Sequence, residues 1–173
     1  MELLEEIKVR AQGLAEELVA RRREFHQHPE LSHQEERTAR VVAEYLRDLG
    51  LDVKTGIAGH GVVGVLKCGR PGRAVAWRAD MDALPIAEKC KLPWRSRAAG
   101  IMHACGHDFH MAIGLGAARL LSQMQNHLAG RYVFIFQPAE EGPPVGDSGA
   151  KGMVAAGVLN HPKVAAVCAL HGP

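Results

Sequence analysis

Several things are scarce in this chain of 173 residues, and each scarcity removes a class of protein. Aromatic residues make up only 5% of it, and no stretch approaches the roughly 20 consecutive apolar residues of a membrane span. The opening MELLEEIKVR is charged throughout, so the apolar core of a signal peptide is missing as well. Cysteines are few and scattered (Cys68, Cys90, Cys105, Cys168) with no C-x-x-C pair, which argues against a disulfide framework and a zinc ribbon and points to free thiols in a reducing compartment. Charge of one sign is not in excess: 21 basic against 19 acidic residues leave a net charge of +2. That balance gives no electrostatic reason to expect nucleic acid or an anionic membrane as partner. A cytoplasmic protein is the expectation.

What is present is ordinary globular material, 47% hydrophobic and 23% charged, enough for one core and about one domain over 1–173. Apolar residues at steps of three and four (Leu3, Ile7, Ala11, Leu14, Leu18) predict one helix over 2–26, ended before Pro29. Ser32 with Glu35 reads as a capping box opening a second helix, whose stripe is Ala39, Val42, Ala43, Leu46 and Leu49. Residues 61–68 and 73–79 read as strands joined by Gly69, Pro71 and Gly72. A third helix is expected over 108–128 despite Gly114 and Gly116, and a short one over 149–156. The apolar runs 132–136 and 164–170 predict strands covered on both faces. The alternation argues for an α/β fold, helices layered on a largely parallel sheet.

The chemistry-bearing residues follow the strands. Arg78, Asp80 and Asp82 come after one, Gln137, Glu140 and Glu141 after the next, and His171 after the last. In open α/β sheets ligands bind beyond the carboxyl ends of the strands, so these groups should meet. The segment HACGHDFH (103–110) adds a thiol and imidazoles, donors suited to zinc and its transition-metal neighbours, with Gly106 letting Cys105 and His107 face one ion. Asp108 and His110 are placed to orient those ligands. Of the adjacent glutamates, one can bind metal while the other takes a proton from an activated water; Glu140 is the candidate base and Glu141 the candidate ligand.

Taken singly, each feature has a plainer reading. A Glu-Glu pair in a loop is usually a solvated surface pair, His171 could pack in the core, Asp80 and Asp82 could start a turn, and the Cys105–His107 pair could be structural. Arg21 to Arg23 suit the end of a helix, where cations complement the dipole. His26, His28 and His33 read as surface or packing residues, with placement behind the site as the alternative. Trp77 and Trp94 read as core.

Together, Arg22-Arg23 with HQHPELS and Glu35, RADMDALPI (78–86), MHACGHDFH (102–110), FQPAEEG (136–142), GAKGMVAAGVL (149–159) and ALHG (169–172) resemble the amidohydrolase branch of the M20 metallopeptidases. That branch includes N-acyl-amino-acid amidohydrolases, hippurate hydrolases and auxin-conjugate hydrolases. The resemblance implies a zinc-peptidase-like catalytic domain with a dinuclear site for divalent metal (Zn, Mn, Co or Ni). Its ligands would be Cys105, His107, Glu141 and His171, with Glu140 as general base and acid and Asp80 as the acidic residue beside the metals. The implied reaction is hydrolysis of the amide bond of an N-acyl amino acid or short peptide.

Phe109 and Met111 stand where family members usually carry Gly and Thr. Family members are also more than twice as long, with a lid or dimerisation domain and a further histidine ligand that this sequence lacks. The chain is therefore expected to be the N-terminal part of such a catalytic domain, incomplete at its C-terminus, with the edge left by the last strand open to pairing in a homodimer. Two alternatives stand beside catalysis: a non-catalytic metal-binding or interaction fragment of the same fold, and a thiol redox protein using Cys105, disfavoured by the absence of a resolving cysteine nearby.

Overall fold

The structure, a computed structural model, describes residues 3–142 and 148–170. In chain order the elements are α1 (Leu3–Gly13), α2 (Ala15–Gln27), α3 (Glu36–Asp48), β1 (Asp52–Ile57), β2 (Gly61–Lys67), β3 (Arg70–Asp80), α4 (His107–Gln123), β4 (Ala129–Gln137), α5 (Gly149–Ala155) and β5 (Val164–Ala169). The five strands form one sheet in the order β1-β2-β4-β3-β5. β4, β3 and β5 run parallel, while β1 and β2 are joined to them by antiparallel ladders. This is the α/β architecture expected, and it puts the carboxyl ends of β3, β4 and β5 at one edge of the molecule.

Two apolar clusters fill the sheet's two sides. The larger joins Phe25, Val42, Leu46, Leu115, Phe134 and Phe136; the smaller joins Val63, Ile135, Met153 and Val158. The stripe on α3 is the one the sequence predicts: Ala39, Val42, Ala43 and Leu46 are buried. Gly114 and Gly116, poor residues for a helix interior, sit where α4 meets its neighbours. A Cβ on Gly114 would lie 3.2 Å from the Phe136 ring, and one on Gly116 would lie 2.7 Å from Leu18. Close packing against β4 and α2 therefore outweighs propensity.

Other expectations need correction. The helix predicted over 2–26 is two helices, broken at Leu14, whose N–H turns back to the Ala11 carbonyl at 3.1 Å just after the poor helix former Gly13. The strands 61–68 and 73–79 are not neighbours, because β4 lies between them. The capping box at Ser32 and Glu35 does not form. Glu30 serves α3 instead, accepting from Arg37 N and Thr38 N at 3.0 and 2.8 Å, while Ser32 and Glu35 turn toward the strand ends. Among the described residues β5 lies at the sheet's edge with Ala165 through Ala169 exposed, where cover on both faces was expected; Val167 is 50% exposed. Among the described residues no helix is long and apolar enough to cross a membrane.

Candidate metal centre

Three segments meet at the carboxyl edge of the parallel strands. Asp80, the last residue of β3, pairs in register with Gln137, the last residue of β4. Beyond Asp80 the chain stays extended, so Met81 turns into the core and Asp82, like Asp80, faces the site side. Beyond Gln137 the backbone passes through Ala139, held at φ 48°, and delivers Glu140 and Glu141. The third segment enters through Gly106 at φ 78°, a left-handed residue that opens α4, so Cys105 and His107 flank a sharp turn.

His107 is the centre of the arrangement and is fully buried. Its Nδ1 lies 2.8 Å from the Asp82 carbonyl oxygen, which can only accept, so Nδ1 donates and in the neutral ring the lone pair is on Nε2. Nε2 is buried and has no hydrogen-bond partner among the described residues. Glu140 Oε2 and Glu141 Oε1 stand 3.6 and 3.8 Å from it. Those separations exceed a hydrogen bond but approach the spacing of roughly 3.4 Å between two donors each about 2.1 Å from a tetrahedral ion. Burial alone would pull the imidazole's pKa down; the Asp82 hydrogen bond and the charge of Asp80 outweigh it and raise it.

Donor atoms of Cys105, His107 and Glu141 all lie within 4.8 Å of one another. The Cys105 thiol is pushed up to about 11, first by burial, then by its hydrogen bond to Glu141 and the charges of Glu141, Glu140 and Asp80. A thiol, an imidazole and converging carboxylates make a donor set suited to a cation, which would reverse the penalty on the thiolate. The donor chemistry and the orphaned Nε2 thus fit a transition-series ion. A second group, Asp80, His107 and His110, also has its donor atoms within 4.8 Å. Asp80 Oδ2 lies 3.3 Å from His110 Nδ1, and the Asp80 carboxylate is also ion-paired with Arg78. His107 belongs to both groups, so Asp80 borders the site together with His110. His171 lies outside the described residues.

Around these donors is a shell that local sequence patterns disclosed only in part. Asp82 Oδ2 accepts from Ser32 Oγ at 2.7 Å and from the Glu141 N–H at 2.9 Å. Burial opposes its charge, but the hydrogen bonds from His107, Glu141 and Ser32 hold its carboxyl at about 2. Asp108 is buried and accepts from Arg22 Nε at 3.2 Å, with His26 Nδ1 at 2.9 Å from the same oxygen. His26 is thus a buried residue behind the α4 N-terminus, the alternative left open for it above. Arg23 lies over the Trp94 ring at 3.9 Å. Asp82 had a local signal, its two-residue spacing from Asp80; Ser32 and His26 had only their place in the HQHPELS motif, their partners lying 50 and 82 positions away. The two departures are absorbed: Met111 is buried in the core, and Phe109 is partly exposed with the Arg22 guanidinium 5.8 Å above its ring.

The loop bearing the glutamates is braced by α5. Gly149 donates its N–H to the Ala139 carbonyl at 3.2 Å, and a Cβ there would fall 1.7 Å from the Pro138 oxygen. Gly149→Ala is therefore expected to displace this loop and lower stability by about 1–3 kcal/mol, to be read as a reduced denaturation midpoint.

Residues 76–173 match the family model described as Peptidase family M20/M25/M40. The chain is similar to thermostable carboxypeptidase 1 of Saccharolobus solfataricus, 45% identical over 161 residues, which covers 92% of this chain and 40% of that protein. It is also 45% identical over 156 residues to the N-acyl-L-amino acid amidohydrolase of Geobacillus stearothermophilus, covering 90% of this chain and 41% of the relative. Among solved structures, Bacillus subtilis YXEP, described as a dinuclear metal binding peptidase, superposes with a TM-score of 0.85 at 40% identity, covering 94% of this chain and 44% of the other. The chain thus spans about 40% of the length of the relatives it matches.

Proposed function

The chain belongs to the M20/M25/M40 peptidase family, and from that membership we propose that it carries the metal-dependent amide-hydrolysing centre of an amidohydrolase acting on N-acyl amino acids or short peptides. The observation that carries this reading is the buried His107 Nε2, which faces two carboxylates and has no hydrogen-bond partner among the described residues, while Nδ1 donates to the Asp82 carbonyl. Cys105, His107, Glu141 and His171 are the proposed ligands, with Asp80 beside them. Two divalent ions are proposed for the full site, drawn from Zn, Mn, Co and Ni, and the dinuclear description of the Bacillus subtilis neighbour supports that number. The name of the Geobacillus relative supports the substrate class.

When bound, a divalent ion supplies Lewis acidity to the scissile carbonyl and acidifies a water. The chain's own residues do the rest. Glu140, the more exposed of the two glutamates, takes the proton from the attacking water and returns it to the leaving amine, the two halves of general base and acid catalysis. Asp82 holds the His107 ring in its orientation through Nδ1, and Ser32 with the Glu141 N–H holds Asp82. The buried Asp80 carboxylate, ion-paired with Arg78 and 3.3 Å from His110 Nδ1, lines the site beside His107.

Titration of the purified chain with zinc, manganese, cobalt and nickel, followed by assays on N-acetyl and N-benzoyl amino acids, tests the proposal. Metal uptake with turnover is the expected result; a folded chain that takes up none of these ions would contradict it. Because the chain spans only about 40% of its relatives, a second reading is kept, a metal-binding segment of the same fold without catalysis. Uptake without turnover on any substrate would favour that reading.

A further inference from the structure

We propose that Glu35 is a positioning residue for the loop that carries Glu140 and Glu141, acting as a buried acceptor that clamps the backbone N–H of Ala139. The inference rests on the reading above only in naming what that loop presents. Glu35 is fully buried, at the end of the connector between α2 and α3. Its Oε1 accepts from Ala139 N at 2.8 Å, a contact spanning 104 positions of sequence. Ala139 is one of three non-glycine residues at positive φ among those described, and it immediately precedes Glu140. An L-residue leaves that conformation readily unless its surroundings hold it there. On the other side of the peptide chain, the Ala139 carbonyl accepts from Gly149 N, so both polar groups of this one residue are spent on fixing its turn.

Ser32, three residues before Glu35, holds Asp82, which in turn accepts from Glu141 N. The same short connector thus secures the loop at two successive points, through Ala139 directly and through Glu141 by way of Asp82. This explains why Ser32 and Glu35 do not cap α3, a task that falls to Glu30. It also accounts for a carboxyl buried beside the Asp82 charge. Burial first, and Asp82 with it, push the Glu35 carboxyl up, although the Ala139 N–H pulls the other way. What the geometry asks of the position is an oxygen acceptor of glutamate length.

Two substitutions separate an acceptor from a space-filler. Glu35→Gln keeps the oxygen at the same reach; Glu35→Met fills similar volume without it. Three measurements are made on the whole chain: circular dichroism for the fold, hydrogen exchange of the Ala139 amide, and titration with cobalt(II) alone. In the Met variant the Ala139 amide should exchange about tenfold faster, the factor expected for one hydrogen bond, and cobalt affinity should fall by about 10–100-fold. The Gln variant should stay within about threefold of the parent on both.

A folded Met variant with unchanged exchange would overturn the proposal, and so would a Gln variant as impaired as Met. If the Met variant does not fold, Glu35→Asp takes its place, keeping the charge but withdrawing the acceptor by one methylene; parental values there also overturn the proposal. Should the parent chain itself bind no cobalt, the metal reading fails while the Ala139 exchange still decides the role of Glu35.

Discussion

Replacing Glu140 by glutamine is expected to lower hydrolysis of N-acyl amino acids by about 10²–10⁴-fold, the span that positioned general acid–base groups contribute. The change is nearly isosteric, and it removes one capacity only, acceptance of a proton. Glu140 is about one-third exposed, with Oε2 3.6 Å from the buried His107 Nε2, so it faces the place where the ion and the attacking water would meet. Glu141 is less exposed and shares its spacing with Cys105 as well as His107. The loss should therefore fall on kcat, with metal affinity close to the parent's. Parallel titration and rate measurements check this. Loss of the metal in Glu140→Gln would instead make that residue a ligand and reverse the roles given to the two glutamates.

The second large effect is on stability. Asp82→Ala is expected to cost about 3–5 kcal/mol, as breaking a buried charged network by deleting one member does. Asp82 is fully buried, and its carboxylate serves Ser32 Oγ, the Glu141 N–H and the His107 ring. Removing it strips the half-buried Ser32 Oγ and Glu141 N–H of their acceptor, while His107 Nδ1 keeps its bond to the backbone carbonyl at position 82. Chemical denaturation is the direct check, and the penalty has a pH signature. The Asp82 carboxyl is held at about 2 in the folded protein, below the ordinary aspartate value of about 3.9. Its stabilisation is present above the unfolded value and is lost as pH falls through the folded one. The difference between parent and variant should thus shrink between about pH 4 and pH 2. A difference that stays constant through that range would locate the effect in packing alone.

Much of this was legible in the sequence for physical reasons that can be named. The α3 stripe is a matter of helical period, and the β4 run of apolar residues is buried as a two-sided strand must be. The parallel course of β3 and β4 brings Asp80 level with Gln137, so residues just past two strands were bound to meet. Cys105 and His107 are neighbours around a glycine turn, a local matter.

What escaped was non-local. Ser32 and Glu35 look like a cap because sequence records only what is three residues away; their actual partners are 50 and 104 positions distant. β1 went unrecognised because Asp52–Ile57 is polar and mostly exposed, with no alternation to read.

The account stands on Cys105, His107 and Glu141 sharing a cation. X-ray absorption on the zinc-loaded chain measures that directly. The expected spectrum has one sulfur at about 2.3 Å and nitrogen or oxygen donors near 2.0–2.1 Å, with the sulfur contribution absent in Cys105→Ser. A shell made only of nitrogen and oxygen, unchanged by that substitution, would contradict it.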